Sequence, residues 1–431
     1  MRPRFDWGRG APRAGVRRRD ALVMRLTAIV VAGAMTALLA AAPALALAPP
    51  ALSVTGASLI VTNTGQQIYG LNANAELPIA STTKLMTALI TLQHVHDLGV
   101  VFTQNDWVAA PEDSQIGLEP GERMSVHDLL LALLLPSADD AAEDLAYNVG
   151  GGSVHRFIAM MNAEARALHL TRTHYTTPTG LDTPGNYSSP TDLVRLAAYD
   201  LAHSAFFRRV VDLSHAELRS GNYPRYVVNT DDLVGRIPWI NGVKTGHTDD
   251  AGYVLVSSGT RDGMTLIGSV LGTTSEAARD ANALALLNWG FQNFHLVSPV
   301  RTGDVMTRVV VHDSPGTRAA LLADTSFKRV VPRIDRVTVT VIAPKQLAGP
   351  LPRHAVVGQA DVRVDGRVVS RIPLLLARTL PAISPVTQAA RFLTRGTTLM
   401  WIAFVIGAAC LGIAARKRWP RALAAGHMEE R

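Results

Sequence analysis

The chain has 431 residues, enough for two domains, and its hydrophobic content of 48% is ample for a buried core. Its formal net charge of +7 comes from the two ends, because residues 1–25 carry about +6, residues 416–431 about +3, and the rest about −2. Basic character confined to the ends gives no support for a nucleic-acid partner, and the single cysteine, Cys410, excludes an internal disulfide and a cysteine-rich metal site.

Residues 1–48 have the pattern of a secretory signal peptide. An arginine-rich segment over residues 1–25 is followed by an apolar, alanine-rich segment over residues 26–48. The basic segment is long, so Met24 is an alternative start of translation. An uncleaved membrane anchor is the alternative interpretation, and both interpretations place the following domain outside the cytoplasm.

Residues 51–296 are predicted to form one domain that mixes strands and helices. Residues 57–62 and 67–71 read as a hairpin, residues 254–258 and 265–271 as two core strands, and residues 171–190 as a loop. A helix is predicted to begin near Ser81, with further helices over residues 125–135, 139–148, 154–168, 191–201 and 275–288. Strands at both ends with helices between them predict an α/β (α+β) domain, in which an antiparallel sheet made from both ends carries a helical insert.

The C-terminal part changes character. Short alternating segments over residues 305–311, 337–342, 360–364 and 368–373 predict a small all-β domain over residues 298–380, followed by a linker over residues 381–396. Residues 397–415 are an uninterrupted apolar run, long enough for a C-terminal transmembrane helix. The basic tail, residues 416–431, is then expected in the cytoplasm and the domains outside it. The alternative is a buried helix of the β-domain.

Ser81 and Lys84 are the first candidate catalytic pair. Their spacing places both side chains on one face of a helix, one turn apart, and Ser81 is expected as an N-cap or first-turn residue. A serine hydroxyl needs a neighbouring base, and a lysine serves as one only when its pKa is lowered. The chain has only five lysines, and only Lys84 and Lys244 lie between residues 51 and 296. Arginine cannot be deprotonated in a protein, whereas a buried lysine can be. A lysine at this position therefore favours a catalytic base over an ordinary helix start.

Two further motifs follow in order along the chain. Ser137-Ala138-Asp139 stands at a predicted helix start, and Lys244-Thr245-Gly246 is predicted to precede a strand. Alone, the first would be a helix cap and the second a turn. Together with Ser-x-x-Lys, they form the set found in penicillin-binding proteins and β-lactamases.

On these motifs the chain resembles the low-molecular-mass penicillin-binding proteins that are D-alanyl-D-alanine carboxypeptidases. The resemblance covers roughly residues 51–380, and it includes residues 79–89, 117–136, 179–189, 244–253 and 288–291. It implies a penicillin-binding-protein/β-lactamase-like fold and removal of the terminal D-alanine from peptidoglycan stem pentapeptides. β-Lactam antibiotics would then be covalent inhibitors. No cofactor is expected, and no metal site is supported because the thirteen histidines are scattered.

The resemblance also implies roles for individual residues. Ser81 would be the nucleophile, Lys84 the general base, and Ser137 a proton relay toward the leaving amine. Lys244 and Thr245 would position the substrate and its carboxylate. These assignments rest on the positions of the three motifs.

Three further assignments concern substrate binding. Gly246 would let its strand approach closely, and the backbone N–H groups of Ser81 and His247 would form the oxyanion hole. The side chain of His247 is expected to frame the site. Arg279 would help to hold the substrate carboxylate, the alternative being a solvated helix arginine.

Asp139 departs from the pattern, because the family usually has asparagine there. An aspartate keeps the acceptor, loses the N–H donor and adds charge between two lysines. It is expected to raise the pKa of Lys84 and to weaken substrate amide binding, with activity persisting in altered form.

Three rival functions remain open on the sequence. A serine β-lactamase shares the nucleophile and lysine, but we identify no acidic residue that would activate the deacylating water. A D,D-endopeptidase that cuts peptide cross-links fits the same motifs. A catalytically silent peptidoglycan-binding protein is the third, with Asp139 as the lesion, although both lysines are retained.

Overall fold

The computed structural model describes residues 48–312, 316–382 and 396–422, together with Ala389 and Phe392. Nearly all of the predicted signal peptide lies outside the described residues, as do most of the predicted linker and residues 423–431 of the predicted tail. The chain divides into two compact units, Met1–Ser53 and Val54–Arg431, and every element below belongs to the second.

The central sheet is built from two distant parts of the chain, as predicted. The hairpin of β1 (Gly56–Val61) and β2 (Gln66–Leu71) joins β7 (Ile240–Thr248), β8 (Gly252–Arg261) and β9 (Met264–Thr273). The strand order is β2-β1-β9-β8-β7, and every neighbouring pair is antiparallel. β7 therefore lies at an edge of the sheet, with one side of its backbone not paired within it.

Helices cover both faces of this sheet. An added Cβ at Gly268 of β9 would contact Leu286, whereas the hydroxyl of the next residue, Ser269, donates to the carbonyl of Pro190. Successive residues of a strand point to opposite faces. The helix that contains Leu286 and the helix that begins at Pro190 therefore pack on opposite faces of the sheet.

The predicted helical insert lies between β2 and β7. It contains α1 (Lys84–His94), α2 (Val126–Leu134), α3 (Asp139–Val149), α4 (Val154–Ala167), α5 (Pro190–His203) and α6 (Ala205–Val211), and α7 (Glu276–Asn293) follows β9. A short 3-10 helix, Ala80–Thr83, leads into α1. The first eight residues of α1 are all buried, so the side chain at position 84 lies in the interior.

Serine side chains begin several of these helices. Ser125, Ser153, Ser189, Ser204 and Ser275 each accept a hydrogen bond from a backbone N–H in the first turn of α2, α4, α5, α6 and α7. Such caps satisfy donors that the helix leaves unpaired, which explains why the predicted starts agree within a residue. The sequence did not predict α6 or the small ladders of β3 (Val101–Thr103) with β4 (Arg123–Ser125) and β5 (His215–Leu218) with β6 (Arg225–Val228).

The C-terminal region is all-β up to Leu376. It contains β10 (Phe294–Val300), β11 (Val305–Val311), β12 (Arg318–Ala323), β13 (Phe327–Pro332), β14 (Val337–Ile342), β15 (Gln346–Leu347), β16 (Val356–Val364) and β17 (Arg367–Leu376). Six of them form a sheet in the order β14-β16-β17-β12-β11-β15, and β10 pairs with β13. The predicted boundary between residues 296 and 298 falls inside β10.

The last described element is α8 (Gly396–Ala422). Its first nineteen residues, Gly396–Ala414, have a mean hydropathy of 2.0 and are long and apolar enough to cross a membrane. The helix runs further than the predicted residues 397–415 and continues through the basic residues that follow.

Candidate active site

Ser81 and Lys84 meet as their spacing predicted. The Nζ atom of Lys84 lies 2.8 Å from the Oγ atom of Ser81. Ser81 sits inside the 3-10 helix that precedes α1, and no side chain caps that helix, so the expectation that Ser81 caps a helix is wrong and the first-turn alternative holds. A 3-10 turn brings residues i and i+3 into line, which favours this contact.

Lys84 is fully buried, yet its ammonium group is completely hydrogen-bonded. Besides Ser81, it donates to Oδ1 of Asp139 at 2.6 Å and to the carbonyl oxygen of Thr179 at 2.8 Å. Three acceptors match the three N–H donors of an ammonium group. When Lys84 loses a proton, the lone pair that appears is already beside the Ser81 hydroxyl.

Two opposing influences set the pKa of Lys84. Burial lowers the pKa of Lys84, and the carboxylate of Asp139 acts in the opposite direction. The net direction is downward, so the expected upward pull of Asp139 is present but is outweighed by burial. Burial raises the pKa of Asp139, and the charge of Lys84 lowers it by a smaller amount.

Asp139 is fixed at the first residue of α3, as the sequence predicted. Its backbone N–H donates to the carbonyl of Ser114 at 2.6 Å, and the next residue, Asp140, accepts from the backbone N–H groups of Ile116 and Leu118. These bonds tie a long loop to the start of α3. Asp139 therefore reaches Lys84 from a position that is held by its own backbone.

Ser137 stands in the turn before α3 in a left-handed conformation, with φ of +68°. Its Oγ atom is buried and has no hydrogen-bond partner among the residues that the structure describes. A buried hydroxyl without a partner is costly. The group is thus free to bond a substrate or to pass a proton.

The Lys244 motif precedes a strand, β8, as predicted, but it also lies within a strand of its own, β7, which the sequence did not predict. The apolar alternation on which strand prediction relies is absent here, because Val243 through Gly246 are all buried. Lys244 Nζ donates to the carbonyl of Thr245 at 3.1 Å. Burial, followed by the charge of Lys84, lowers the pKa of Lys244 well below its usual value.

Gly246 allows β7 to approach the nucleophile, as predicted. A Cβ atom at this position would lie 3.0 Å from both the Ser81 backbone nitrogen and the Ala80 Cβ. These neighbours cannot move aside easily, because Ala80 is itself held at a φ of +48°. His247, the next residue, is exposed, and its ring packs on Tyr253 with centroids 4.0 Å apart.

Arg279 is a buried residue of α7 and not a solvated one, which excludes the alternative considered for it. Its side chain is 4% exposed, and it donates to Asp280 at 2.9 Å and to Glu276 at 3.1 Å. The positive charge of Arg279 contributes to lowering the pKa of Lys244, and it opposes the rise in the pKa of the buried Asp231 carboxyl. Arg279 therefore belongs to the electrostatic surroundings of β7.

Three residues of this site were not anticipated. The Thr230 hydroxyl lies 2.6 Å from the hydroxyl of Thr245, and the Thr179 carbonyl holds Lys84. Glu143 lies one turn after Asp139 on α3, and burial, then the charge of Asp139, raises its pKa to about 7. The i, i+4 spacing from Asp139 is a signal for Glu143, whereas Thr230 and Thr179 carry no local signal.

The arrangement combines a hydroxyl nucleophile, a buried amine at hydrogen-bond distance, and a second hydroxyl free to carry a proton. This set suits acyl transfer. Within the described ranges, no group of three or more His, Cys, Asp or Glu side chains is placed to hold a metal ion.

Comparison with known proteins gives concordant results. The sequence profile of the D-alanyl-D-alanine carboxypeptidases matches residues 44–275. The D-alanyl-D-alanine carboxypeptidase DacA of Escherichia coli strain K12 is 30% identical over 337 residues, which cover 74% of this chain and 81% of that protein.

Two solved structures extend the similarity to the fold. Penicillin-binding protein 5 of Haemophilus influenzae is 26% identical with a TM-score of 0.61, over 77% of this chain and 99% of that one. The Streptomyces K15 DD-transpeptidase is 34% identical with a TM-score of 0.54, over 57% of this chain and 99% of that one. The chain thus has the predicted penicillin-binding-protein-like fold, and it belongs to the D-alanyl-D-alanine carboxypeptidase family.

Proposed function

We propose that this protein is a serine D-alanyl-D-alanine carboxypeptidase that removes the terminal D-alanine of peptidoglycan stem pentapeptides through an acyl-enzyme on Ser81. The observation that carries the proposal is the 2.8 Å contact between Ser81 Oγ and the buried Nζ of Lys84. Family membership supplies the substrate class. Further support comes from the contact of Asp139 with Lys84 and from the close approach of Gly246 to Ser81.

In the acylation step, neutral Lys84 takes the Ser81 hydroxyl proton while Oγ attacks the carbonyl carbon of the penultimate D-alanine. The C–N bond of the scissile amide then breaks. The proton passes from Lys84 through the Ser137 hydroxyl to the leaving amine of D-alanine. Water later adds to the ester and regenerates Ser81, with Lys84 again taking and returning the proton.

The oxyanion that forms during attack is held by the backbone N–H groups of Ser81 and His247. Each such donor contributes about 3 kcal/mol of barrier lowering in comparable sites. Gly246 supports this assignment because its missing side chain leaves β7 directly against Ser81.

The free edge of β7 accepts the substrate peptide as an added strand, a common mode of peptide recognition. Lys244, Thr245 and Arg279 then present positive charge and a hydroxyl to the terminal carboxylate. The Thr230 hydroxyl, through its 2.6 Å contact with Thr245, orients that hydroxyl.

Asp139 modifies the reaction. Its carboxylate stabilises the protonated form of Lys84, so the base is weaker at neutral pH than with an asparagine in this position. It also offers no N–H to the substrate amide. We therefore assign Asp139 to positioning Lys84 and not to donating a bond to substrate.

The proposed location is the outer face of the cell membrane, with Gly396–Ala414 as a single C-terminal anchor. Export would use residues 1–48, and residues 298–380 would form a β-domain between the catalytic domain, residues 51–296, and the membrane. The basic residues 416–431 would face the cytoplasm.

The test is the intact mass of the full chain, solubilised in detergent, after incubation with benzylpenicillin. We expect an adduct that persists on the wild-type protein and is absent from Ser81→Ala. Release of D-alanine from a diacetyl-L-Lys-D-Ala-D-Ala substrate should then depend on the same serine. Penicillin consumed without an adduct would replace this function with a β-lactamase, and intact penicillin without an adduct would replace it with a silent binding protein.

Two related activities share the acyl-enzyme. A D,D-endopeptidase would release cross-linked dimers, and a transpeptidase, the activity in the name of the Streptomyces K15 structure, would pass the acyl group to an amine. Adding a D-amino acid to the assay separates them, since we expect hydrolysis to exceed exchange. Predominant exchange would favour the transpeptidase.

A further inference from the structure

The charge of the middle of the chain is divided unequally between its two regions. Residues 51–296 carry 14 lysines and arginines against 25 aspartates and glutamates, a net charge of −11. Residues 298–380 carry 13 lysines and arginines against six aspartates, a net charge of +7. Basic character is therefore not confined to the two ends of the chain. A basic β-region next to an acidic catalytic region indicates that the β-region meets a partner of negative charge.

The acidic side chains of the β-region lie almost entirely in its turns. The structure describes five aspartates between residues 298 and 380, and only Asp361 of β16 lies within a strand, where it is buried. The other four lie in the connections between strands and are Asp304, Asp324, Asp335 and Asp365. The described strands therefore expose arginine and lysine side chains without exposed acidic side chains beside them on the same strands.

Arg308 and Arg318 lie on the exposed face of the six-stranded sheet. Buried and exposed residues alternate along the end of β11 and the start of β12, and both arginines fall on the exposed side. The two strands are neighbours, and Val310, two residues after Arg308, is paired directly with Arg318. The two guanidinium groups therefore point to the same side. Neither has an ion-pair partner within the part of the chain that the structure describes.

Arg371 of β17 and Arg363 of β16 extend this face. The buried residues of β17 pair with buried residues of β12, so Arg371 points to the exposed side. Arg363 and Arg371 lie 3.6 Å and 3.9 Å from the carboxylate of Asp361, and their side chains are 37% and 69% exposed. Four arginines thus face one carboxylate, which leaves a net charge of +3. Their strands are neighbours in the order β16-β17-β12-β11 and span about 15 Å.

This basic face is close in sequence to a helix that can cross a membrane. Only 15 residues, 381–395, separate the β-region from α8, a length that reaches about 50 Å at full extension. An anionic bilayer attracts arginines that come within a Debye length of it, about 8 Å at physiological salt. Because the anchor keeps the face near the bilayer at high effective concentration, a weak attraction is enough to hold it there.

We propose that the sheet face carrying Arg308, Arg318, Arg363 and Arg371 docks on the headgroups of anionic phospholipids in the membrane that holds α8. The proposal rests on the proposed anchor, Gly396–Ala414, and is independent of the chemistry at Ser81. Arginine suits this contact because its planar guanidinium donates two parallel hydrogen bonds to a phosphate. The same anionic surface repels the catalytic region, with its net charge of −11, so docking favours one orientation of the chain.

The experiment follows this face in the full chain inserted into phospholipid nanodiscs. Cys410→Ser removes the single native cysteine, and Thr340→Cys provides an exposed site for an uncharged fluorophore on β14, paired with Asp361 in the register. Energy transfer to an acceptor on the lipid headgroups reports how closely the face approaches the bilayer. Discs of phosphatidylcholine alone are compared with discs of phosphatidylcholine mixed with phosphatidylglycerol.

We expect energy transfer at least about twofold higher in the anionic discs, with the increase lost in 1 M salt, where the Debye length is about 3 Å. Arg308→Glu combined with Arg318→Glu should abolish the increase. The matched control is Lys328→Glu combined with Arg329→Glu, an equal change of charge on β13, which lies outside the six-stranded sheet. The control should keep most of the increase.

Two measurements keep the result independent of folding and of the proposed function. The Tm of each variant reports folding, and the benzylpenicillin adduct on Ser81 tests the catalytic proposal separately. Equal energy transfer in the two kinds of disc would overturn docking, as would an equal loss in both double variants. Response to soluble polyphosphate but not to phosphatidylglycerol would assign the face to an anionic polymer instead. Failure of the chain to co-elute with the discs would remove the anchor and this proposal together.

Discussion

Two buried ionisable groups near opposite ends of α1, Lys84 and Asp200, differ in their hydrogen-bond partners. At the N-terminal end, Lys84 is surrounded by three acceptors, one of them the carboxylate of Asp139. Near the C-terminal end, neither carboxyl oxygen of Asp200, a buried residue of α5, has a hydrogen-bond partner among the described residues. A fully paired charge, Lys84, thus lies at one end of α1, and an unpaired carboxyl, supplied by α5, lies near the other.

This difference teaches what a buried charge indicates. A charge whose hydrogen bonds are all satisfied by the protein can be held at low cost in a defined geometry, which suits chemistry at Ser81. An unpaired buried carboxyl costs free energy of folding, and burial favours its neutral form by raising the pKa of Asp200 well above its usual value. The dipole of α1 has its positive end toward Ser81 and its negative end at His94.

The largest effect is expected from a substitution of Lys84, at the N-terminal end of α1. Lys84→Arg keeps the positive charge but removes a group that can lose a proton, so acylation by benzylpenicillin should fall by at least about 10³-fold. The rate of adduct formation by mass spectrometry measures it. The matched control is Lys345→Arg, an exposed lysine of the β-region, which should leave the rate unchanged. Retention of the rate in Lys84→Arg would remove Lys84 from the role of base.

The next effect compares two buried aspartates of α5. Asp200→Leu should raise the free energy of unfolding by about 1–3 kcal/mol at pH 7, because it removes an unsatisfied buried group. Asp192→Leu should lower it by about 2 kcal/mol or more, because it leaves the Arg172 N–H and the Thr173 hydroxyl without an acceptor. Urea unfolding followed by circular dichroism measures both. The same sign for the two variants would contradict the contrast.

A smaller effect concerns the charge beside the base. Asp139→Asn removes the carboxylate that favours protonated Lys84, so the pKa of Lys84 should fall further. The acidic limb of the acylation rate against pH should therefore move to lower pH, with turnover at pH 7 raised or within about tenfold of the parent value. Asp113→Asn is the control, since Asp113 acts on Lys84 in the same direction with a smaller effect. Loss of all turnover in Asp139→Asn would show that this role is wrong.

The smallest effect is expected from a substitution of Thr230, which contacts Thr245 of β7. Thr230→Val removes the hydroxyl that contacts Thr245 while keeping the shape of the side chain. The loss of one hydrogen bond of about 1 kcal/mol should lower kcat/KM for the D-alanyl-D-alanine substrate about fivefold. Thr230→Ser should restore most of it. If the valine variant matches the parent protein and the serine variant changes nothing, Thr230 does not orient Thr245.

Much of the fold was predictable because the signals are local. The hairpin of β1 and β2 follows from alternation and a turn, and four predicted helices, α2, α4, α5 and α7, begin at serine caps that the sequence displays. Elements of three to seven residues, such as β3, β4 and α6, were not predicted because so few residues show no period. β7 was not predicted for a different reason, since burial on both faces removes the alternation that marks a strand.

In the candidate site, too, contacts between neighbours in the sequence were predictable and contacts between distant residues were not. Ser81 and Lys84 are three residues apart, and their contact follows from helical geometry alone. The other two groups that hold Lys84, Asp139 and the Thr179 carbonyl, lie 55 and 95 residues away in the chain. Resemblance placed Asp139 near Lys84, but no pattern in the sequence indicated the carbonyl of Thr179 or the hydroxyl of Thr230.

The sequence by itself determined the contact of Ser81 with Lys84, the order of the motifs, the antiparallel sheet with its helical insert, the β-region and the apolar C-terminal helix. These depend on composition, spacing and periodicity, which are properties of neighbouring residues. The tertiary structure alone decided that Lys84 is fully hydrogen-bonded and that Arg279 is buried between acidic partners. It also decided that the Asp200 carboxyl has no hydrogen-bond partner within the part of the chain that the structure describes. The physical reason is that the solvation and pairing of a charge depend on groups brought from distant parts of the chain, and only the packed fold fixes which groups arrive.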